Sequence, residues 1–429
     1  MMEATYPAHE SYKPSGYDWV GDVPAHWAVE KLGTSLRAVS EKNRPDLPLL
    51  SITREKGVIE RDLDDEESNH NFIPDDLSGY KVLRAGQFGM NKMKAWQGSY
   101  GVSQHTGIVS PAYFIFDFTK EIDPDFFNRA IRSKLYVSFF GSASDGVRIG
   151  QWDLNKSRMR EIPLLVPPLP EQRAIAAFLD DKCAKIDGAV KIKADQIALL
   201  RERRQIMIQD AVTRGLNPAA PMKDSGIDWI GQIPAHWELA RLGTCLTAVT
   251  VKNSPHLPLL SITREQGVIE RDVDDQESNH NFIPDDLTNY KVLRAGQFGM
   301  NKMKAWQGSY GISQHTGIVS PAYFIFDLIA DFDPRFFNLA IRTKLYVSYF
   351  YQASDGVRIG QWDLSKDRMK QIPFIIPSRA EQAEIVLFAD EVSAKIDAGI
   401  AIKERQIVAL KEYKTSLINA AVTGKIKVI

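Results

Sequence analysis

Apolar residues recur at helical spacing in two long segments of the chain, 170–214 and 380–424, and neither segment has an internal proline. The apolar positions follow seven-residue series, the spacing of helices that pair as a coiled coil. The sequence therefore predicts two long paired helices, although helices that only cover their own domains would show a similar pattern. The residues predicted to pack the helices are Leu179, Ile186, Ile197, Leu200, Ile396, Ile407, Leu410 and Leu417.

Short β-rich runs occupy the other two long segments, 15–168 and 225–378. Examples are LPLLSI, GIVSPAYFIFD and REIPLLVP, and Gly, Pro, Asn and Asp residues separate such runs. These segments are predicted to be mixed α/β globular domains. At the helix ends, Ser378 and Glu381 have the spacing of a capping box, and Gly215 and Gly424 suit C-terminal caps.

An internal repeat organises the whole chain. The segment SGYDWVGDVPAHWAVEKLG at 15–33 returns as SGIDWIGQIPAHWELARLG at 225–243, an offset of 210 residues. Matching residues keep this offset to the end of each copy, so the repeat is a tandem duplication without insertions. The predicted fold class is α/β (mixed α+β), with two repeated globular domains separated by two long helices. The predicted divisions, alternating domain and helix, are 1–168, 169–215, 216–378 and 379–429.

Similarity between the two copies is uneven. From Tyr80 to Asp117 against Tyr290 to Asp327, 37 of 38 positions are identical, whereas only 19 of 45 are identical between 170–214 and 380–424. Drift after a recent duplication is one explanation. Drift alone should not spare one block so completely, so we favour a shared task that keeps this block the same in both copies.

Composition narrows the class of protein. Of the 429 residues, 44% are hydrophobic and 25% are charged, close to ordinary globular usage. No apolar run is long enough for a membrane helix, and the first residues have no signal-peptide core, so we expect a soluble cytoplasmic protein. Two cysteines form neither a disulfide framework nor a four-cysteine metal site. The net charge of −1 requires that any surface for nucleic acid be local.

The usual signatures of an enzyme are missing from the sequence. It contains no G-x-x-x-x-G-K-[ST] phosphate loop, no G-x-G, and no Asn-Pro-Pro or Asp-Pro-Pro followed by an aromatic residue. The histidine spacings resemble no metal site, and His26 and His236 beside tryptophan are predicted to be packed, hydrogen-bonded imidazoles. We therefore predict no catalytic residues and no metal site.

A polar, basic and aromatic stretch lies between Tyr80 and Thr106 and contains no acidic residue. Lys and Arg hold phosphates, while Asn, Gln, Ser and Arg match the donors and acceptors on base edges. A second stretch, 129–160, is also net basic, whereas residues 60–76 carry eight carboxylates and are predicted to face away from DNA. A solvated basic face is the plainer explanation for either stretch. The residues predicted to bind DNA are Lys92, Lys94, Trp96, Gln97, Ser99, Gln104, His105, Arg148 and Gln151, with Lys302, Lys304, Trp306, Gln307, Ser309, Gln314, His315, Arg358 and Gln361 in the second copy.

Several motifs together resemble the specificity subunits of type I restriction-modification systems. They are the opening that ends in P-x-HW, IP-x-x-x-PP-L-x-EQ with the helix after it, and the blocks GQFGMNKMKAWQGS and GIVSPAY. The resemblance covers essentially the whole chain. The second helix entry, IPFIIPSRAEQ, lacks the double proline, and Ser378 is predicted to supply the cap.

The resemblance implies a division of labour. Each globular domain would be a target-recognition domain that reads one half of a bipartite DNA site. The two helices would run antiparallel, with a pseudo-two-fold axis, as a spacer that docks two modification (methyltransferase) subunits, and restriction (motor and nuclease) subunits would join them. S-adenosylmethionine, ATP and Mg would then be bound by the partners, and this chain would have no cofactor of its own.

Two other classes of function stay open at this point. A stand-alone DNA methyltransferase or nuclease is disfavoured by the missing motifs. A protein-interaction scaffold without DNA binding is the other alternative. The sequence does not reveal the bases recognised or the spacer length.

Overall fold

The computed structural model describes residues 6–61, 73–148, 151–271, 283–329, 332–358 and 361–429. The fold is mixed α/β, as predicted, and the chain forms two compact units. One unit contains residues 1–194 and 404–429, and the other contains residues 195–403. Each unit therefore combines one globular domain with part of each long helix.

The first unit begins with the first globular domain. Its strands are β1 (Tyr12–Pro14), β2 (Asp22–Pro24), β3 (Ala28–Lys31), β4 (Leu36–Val39), β5 (Leu50–Thr53), β6 (Gly57–Glu60), β7 (Lys81–Leu83), β8 (Phe88–Asn91), β9 (Tyr100–Val102), β10 (Gly107–Val109), β11 (Tyr113–Phe118), β12 (Ser144–Arg148), β13 (Gln151–Leu154) and β14 (Pro163–Val166). Its helices are α1 (Leu32–Ser35), α2 (Pro124–Ile131), α3 (Lys134–Ser142), α4 (Lys156–Glu161) and the start of α5 (Leu169–Arg214).

A four-stranded antiparallel sheet forms the centre of this domain, in the order β4-β11-β8-β9. Its buried aromatic side chains pack against α2 and α3, where Phe127 and Phe140 lie against Phe88 and Tyr100 at ring-centroid distances of 5.2 and 4.4 Å. Helix α2 begins where the sequence favours it. The Asp123 side chain accepts a hydrogen bond from the Phe126 amide, and proline occupies the first turn.

The second unit repeats this arrangement. Its strands are β15 (Met222–Asp224), β16 (Gln232–Pro234), β17 (Glu238–Arg241), β18 (Leu246–Ala248), β19 (Leu260–Thr263), β20 (Gly267–Glu270), β21 (Lys291–Leu293), β22 (Phe298–Met300), β23 (Tyr310–Ile312), β24 (Gly317–Val319), β25 (Phe324–Leu328), β26 (Ser354–Arg358), β27 (Gln361–Leu364) and β28 (Pro373–Ile376). Its helices are α6 (Leu242–Cys245), α7 (Pro334–Ile341), α8 (Lys344–Gln352), α9 (Lys366–Gln371) and the start of α10 (Arg379–Val422). The central sheet has the matching order β18-β25-β22-β23.

The two long helices are confirmed, and they pack together within each unit. In the first unit, the buried Leu179 and Ile186 of α5 share a core with Leu417 of α10, and Lys414 pairs with Asp187 at 2.6 Å. Glu171 in the first turn of α5 and Gly424, just after the end of α10, both lie beside Trp27, so the two helices run antiparallel there.

The second unit contains the other part of each helix. Ile197 and Ile396 are buried, Arg204 donates to Asp397 at 2.7 Å, and Leu200 lies 3.7 Å from the position a Cβ would take at Gly399.

Leu200, Ile407 and Leu410 are only partly buried, so they contribute less to the packing than their spacing predicts.

The helix ends agree with the predicted caps. The Glu381 amide donates to Ser378 Oγ at 3.4 Å, and the Ser378 amide donates back to the Glu381 carboxylate at 3.3 Å, which completes the capping box. Gly215 and Gly424 follow the two helices with φ of +75° and +70°, the left-handed conformation that favours glycine at a C-cap. Among the described residues, no helix is long and apolar enough to span a membrane.

Candidate nucleic-acid interface

A tight turn between β8 and β9 carries the central residues of the predicted DNA-binding stretch. The Met93 amide donates to the Asn91 side chain at 3.1 Å, and residues Ala95–Gln97 form one turn of 3-10 helix. Gly98 ends it with φ of +90°, and its Cβ position would lie 3.2 Å from Val137 of α3, so the turn needs glycine there. The turn therefore packs closely against α3.

The fold brings the β12–β13 hairpin, from the second basic stretch, against this turn. The Trp96 and Trp152 rings lie 5.5 Å apart with an interplanar angle of 33°, and Trp152 is 36% exposed. The Leu154 amide donates to the Lys92 carbonyl at 3.3 Å, which fixes the hairpin to the turn. We call the patch formed by Lys94, Trp96, Gln97 and Trp152 the tryptophan surface.

The lysines of this stretch differ in their environment. Lys92 lies 3.4 Å from Asp153, so the fold supplies a carboxylate to a stretch that has none in sequence. Lys302 pairs in the same way with Asp363 at 3.2 Å. By contrast, Lys94 and its counterpart Lys304 are exposed, and neither has an acidic partner within the described part of the chain. Of the predicted DNA-binding lysines, Lys94 and Lys304 are therefore the ones whose ammonium groups are free to meet an anion.

The other predicted contacts are not all at the surface. Ser99 and Ser309 are 2% exposed, which corrects their assignment, because a side chain buried to this degree does not reach a base edge. Gln104 and Gln314 are exposed, while Gln97 and Gln307 are half-buried. His105 lies 3.4 Å from Glu60, and His315 lies 3.3 Å from Glu270, so the fold places a carboxylate beside each histidine.

Part of the prediction falls outside the described residues. Arg148 and Gln151 are backbone partners at the end of the β12–β13 hairpin, as are Arg358 and Gln361 in the second copy, but their side chains are outside the described part of the structure. Most of the acidic segment 60–76 is outside it as well. Their roles stay predictions.

Arg132, which counted toward the second basic stretch, has a structural role. Its guanidinium donates to the Tyr100 carbonyl at 2.7 Å and to the carbonyls of Arg54 and Glu55, both at 2.9 Å. Burial lowers the pKa of the Arg132 guanidinium. The three carbonyl oxygens hold the guanidinium between the central sheet and the β5–β6 turn. Arg342 makes the matching three contacts in the second copy. Sequence reasoning missed this role because the three carbonyls give no residue-type signal.

The second copy repeats the tryptophan surface with one addition. Trp306 and Trp362 lie 5.6 Å apart, close to the spacing of the first pair. Tyr351 lies beside Trp362, with ring centroids 4.9 Å apart and a tilt of 37°, and is 47% exposed, whereas Gly141 occupies its place in the first copy. The two surfaces are therefore the same apart from one extra exposed aromatic ring.

A second repeated arrangement joins each domain to its long helix. The Glu171 carboxylate in the first turn of α5 accepts a hydrogen bond from Trp27 at 3.0 Å and lies 2.7 Å from His26. The Gln172 side chain accepts from the Asp123 amide and donates to the Pro167 carbonyl. The P-x-HW and EQ motifs are thus two halves of one contact, which we call the helix joint.

The helix joint occurs in both copies. Glu381 accepts from Trp237 at 3.1 Å and lies 2.8 Å from His236, and Gln382 accepts from the Asp333 amide at 2.8 Å. The predicted hydrogen-bonded imidazoles at His26 and His236 are confirmed, although both side chains are about half exposed.

An ion pair between the domain and the helix lies beside each joint. In the first unit Arg129 of α2 pairs with Asp180 of α5. In the second, Arg335 of α7 pairs with Asp390 of α10, the residue that matches Asp180. The two arginines do not occupy equivalent positions of the repeat, because the second copy has Leu339 where the first copy has Arg129.

The helix joint predicts an acid-dependent stability. Burial alone would raise the pKa of the Glu381 carboxyl, but hydrogen bonds from Trp237, His236 and Ser378 outweigh burial and lower the pKa to about 2, from an ordinary 4.5. This stabilisation is present above the unfolded value and is lost as the pH falls from 4.5 towards the folded value of about 2. We expect Glu381→Gln to remove about 1 to 2 kcal/mol of it, a figure reduced because the carboxyl is partly exposed.

Denaturant unfolding of the wild type and Glu381→Gln between about pH 6 and about pH 3 measures this effect. The difference between the two proteins should shrink as the pH falls. Glu384→Gln, at an exposed position on the same helix, is the control and should leave the profile unchanged. A constant difference at every pH would show that the Glu381 charge does not matter.

Comparisons with known proteins give a consistent picture. No protein-family profile matches the chain. The Methanocaldococcus jannaschii "Type I restriction enzyme MjaVIII specificity subunit" is 25% identical over 311 residues, 69% of this chain and 69% of the relative. The same organism's "Putative type I restriction enzyme MjaX specificity subunit" is 21% identical over 238 residues, so this chain spans about half (53%) of that relative's length.

Solved structures share the fold over nearly the whole chain. A chain from a study of complex assembly and conformational transition of the type I R-M system matches with a TM-score of 0.63 and 14% identity, covering 93% of this chain and 98% of the other. The HsdS subunit from Thermoanaerobacter tengcongensis matches with a TM-score of 0.51 and 14% identity, covering 94% and 98%. The curated relatives of this chain are therefore type I restriction enzyme specificity subunits, and its fold is that of HsdS structures.

Proposed function

We propose that the chain is the sequence-specific DNA-binding subunit of a type I restriction-modification complex, acting in the cytoplasm, and that each globular domain reads one half of a bipartite site. The observation that carries the proposal is the tryptophan surface, which has the same exposed lysine, tryptophan pair and glutamine in both units. Lysine supplies a phosphate contact, and glutamine supplies a base-edge donor and acceptor.

The same proposal assigns chemistry to partner subunits. Two modification subunits would dock on the long helices, and restriction subunits would join the assembly. Exposed apolar side chains on α5 support a docked partner, since Leu199 is 63% exposed and Ile206, two turns further on, is 53% exposed. In this proposal the chain itself is non-catalytic, and S-adenosylmethionine, ATP and Mg belong to the partners.

Replacing Lys94 or Lys304 with alanine should weaken DNA binding across sequences. Removal of one phosphate contact should reduce the slope of log affinity against log salt by about 0.9. Lys92→Ala is the matched control, because Lys92 already pairs with Asp153 and should change the slope less. Fluorescence anisotropy over a salt series measures the slopes. Equal slopes in wild type, Lys94→Ala and Lys304→Ala would place the phosphate contacts elsewhere.

The proposal also predicts the symmetry of the target. Because 37 of 38 positions are identical between the two blocks, both domains should prefer nearly the same half-sequence. The antiparallel helices implied by the family resemblance favour inverted half-sites, so the target should be an interrupted palindrome. Tyr351 and Gln352, in place of Gly141 and Ser142, should relax or extend one position in one half only.

Methylome sequencing of a host that carries this chain and its modification subunit tests the proposal. We expect methylated adenines in two inverted half-sequences, one on each strand. A motif with unrelated halves, or with a direct repeat, would contradict the palindrome, and absence of any methylation motif together with salt-insensitive DNA binding would favour a protein scaffold.

A further inference from the structure

A histidine-rich cluster lies beside the helix joint of the first unit. Its three members come from distant parts of the sequence. His9 lies before β1, His26 lies between β2 and β3, and Glu171 lies in the first turn of α5. One donor atom from each of them lies within 4.8 Å of the other two. Two imidazoles and a carboxylate are a ligand set typical of zinc and related divalent transition metals.

The helix joint does not explain the environment of the His9 side chain. Its side chain is 6% exposed, and its Nε2 is buried without a hydrogen-bond partner, 3.8 Å from a Glu171 oxygen. His9 also hydrogen-bonds the backbone of Ile426. Nε2 has no partner and lies on the Glu171 side of the ring, so Nε2 is the atom that His9 would offer to the cluster. A ring nitrogen fixed by a backbone carbonyl is the usual support of a metal-binding histidine.

The Glu171 carboxylate is also oriented in a way that suits metal binding. Its carboxylate is 5% exposed, and Trp27 Nε1 donates to one of its oxygens at 3.0 Å. A hydrogen bond of this kind orients a carboxylate that binds metal. His26 lies 2.7 Å from the other oxygen, and its half-exposed side chain provides a route of access from solvent.

The second copy is an internal control. Ala219 takes the place of His9, so only His236 and Glu381 remain, and Ser378 hydrogen-bonds the carboxylate as well. The helix joint is complete there without a second imidazole. His9 is therefore an addition to the joint and is not required for it.

We propose that His9, His26 and Glu171 bind one divalent transition-metal ion of the zinc class. The ion would fasten the segment before β1 to the first turn of α5. Because the Lys427 amide donates to the Pro7 carbonyl at 2.7 Å, and Tyr12 donates to the Gly424 carbonyl, the same ion would also fasten the residues that follow α10. This inference does not depend on the proposed DNA recognition.

Cobalt titration of the chelator-treated full chain tests the site, because Co²⁺ bound by nitrogen and oxygen ligands absorbs visible light. We expect one Co²⁺ per chain, displaced by Zn²⁺, and a rise in melting temperature with Zn²⁺. His9→Ala, which makes the joint resemble the second copy, should weaken binding by about 100-fold or more and abolish the Zn²⁺-dependent rise. His26→Ala should do the same, and His236→Ala should bind metal as the wild type does.

Circular dichroism of each metal-free variant separates loss of ligands from loss of folding, and His26→Ala keeps the test decisive if His9→Ala misfolds. Absence of Co²⁺ binding in the wild type would overturn the proposal. Equal binding in the wild type and in folded His9→Ala and His26→Ala would overturn it as well, and loss of binding in His236→Ala alone would place the metal in the second unit.

Discussion

Proline in place of Ile197 or Ile407 is expected to abolish both partner assembly and methylation of the target. Ile197 is buried within the 46-residue α5, and Ile407 lies within the 44-residue α10. Proline removes one helical hydrogen bond and clashes with the preceding turn, which costs about 3 kcal/mol or more. Because the proposed spacer function needs continuous helices, DNA recognition should fail even though the tryptophan surfaces are unchanged.

Size-exclusion chromatography with the modification subunits and a methylation assay measure these two losses. Ile197→Val, which keeps an apolar side chain, and Glu202→Ala, at an exposed position on the same helix, are the matched controls. Full assembly and an unchanged motif in both proline variants would refute the spacer function of the helices.

Replacing Arg132 or Arg342 with methionine is expected to destabilise one domain by about 1 to 3 kcal/mol, because one part-buried carbonyl and two exposed carbonyls lose their donor. One of these carbonyls belongs to Tyr100, which follows the turn of the tryptophan surface. The substitution should therefore also weaken discrimination at the half-site that this domain reads. Arg132→Met should affect one half of the target and Arg342→Met the other.

Urea unfolding and binding to DNA with one altered half-site measure this effect. Arg37→Met is the control, because Arg37 makes a single exposed ion pair with Asp117 on the same sheet. Unchanged stability in both variants would show that the carbonyls find other donors.

The elements that the sequence predicted well depend on local patterns. The seven-residue series, the capping box at Ser378 and the C-terminal glycines each lie within a few residues of one another, so α5 and α10 could be predicted closely. The repeat itself predicted two equivalent domains.

The contacts that the sequence did not predict join residues far apart in the chain. Trp96 meets Trp152, and His26 meets Glu171 across 145 residues. A signal did exist, because both partners of each contact recur in the second copy. Without the fold, however, this recurrence does not show which of the repeated residues contact each other. Asp153 shows the consequence, since it changes the charge around Lys92 but is remote in sequence.

The arginine pairs at the two helix joints show how the copies have diverged. Arg129 and Arg335 occupy non-equivalent positions on matching helices, yet each reaches the equivalent aspartate, Asp180 or Asp390. The arginine has therefore changed position in at least one copy, while the ion pair with the helix has been kept. Arg335 matches position 125, which lies four residues before Arg129 on the same face of the helix, so an arginine at either position can reach the same aspartate on the long helix.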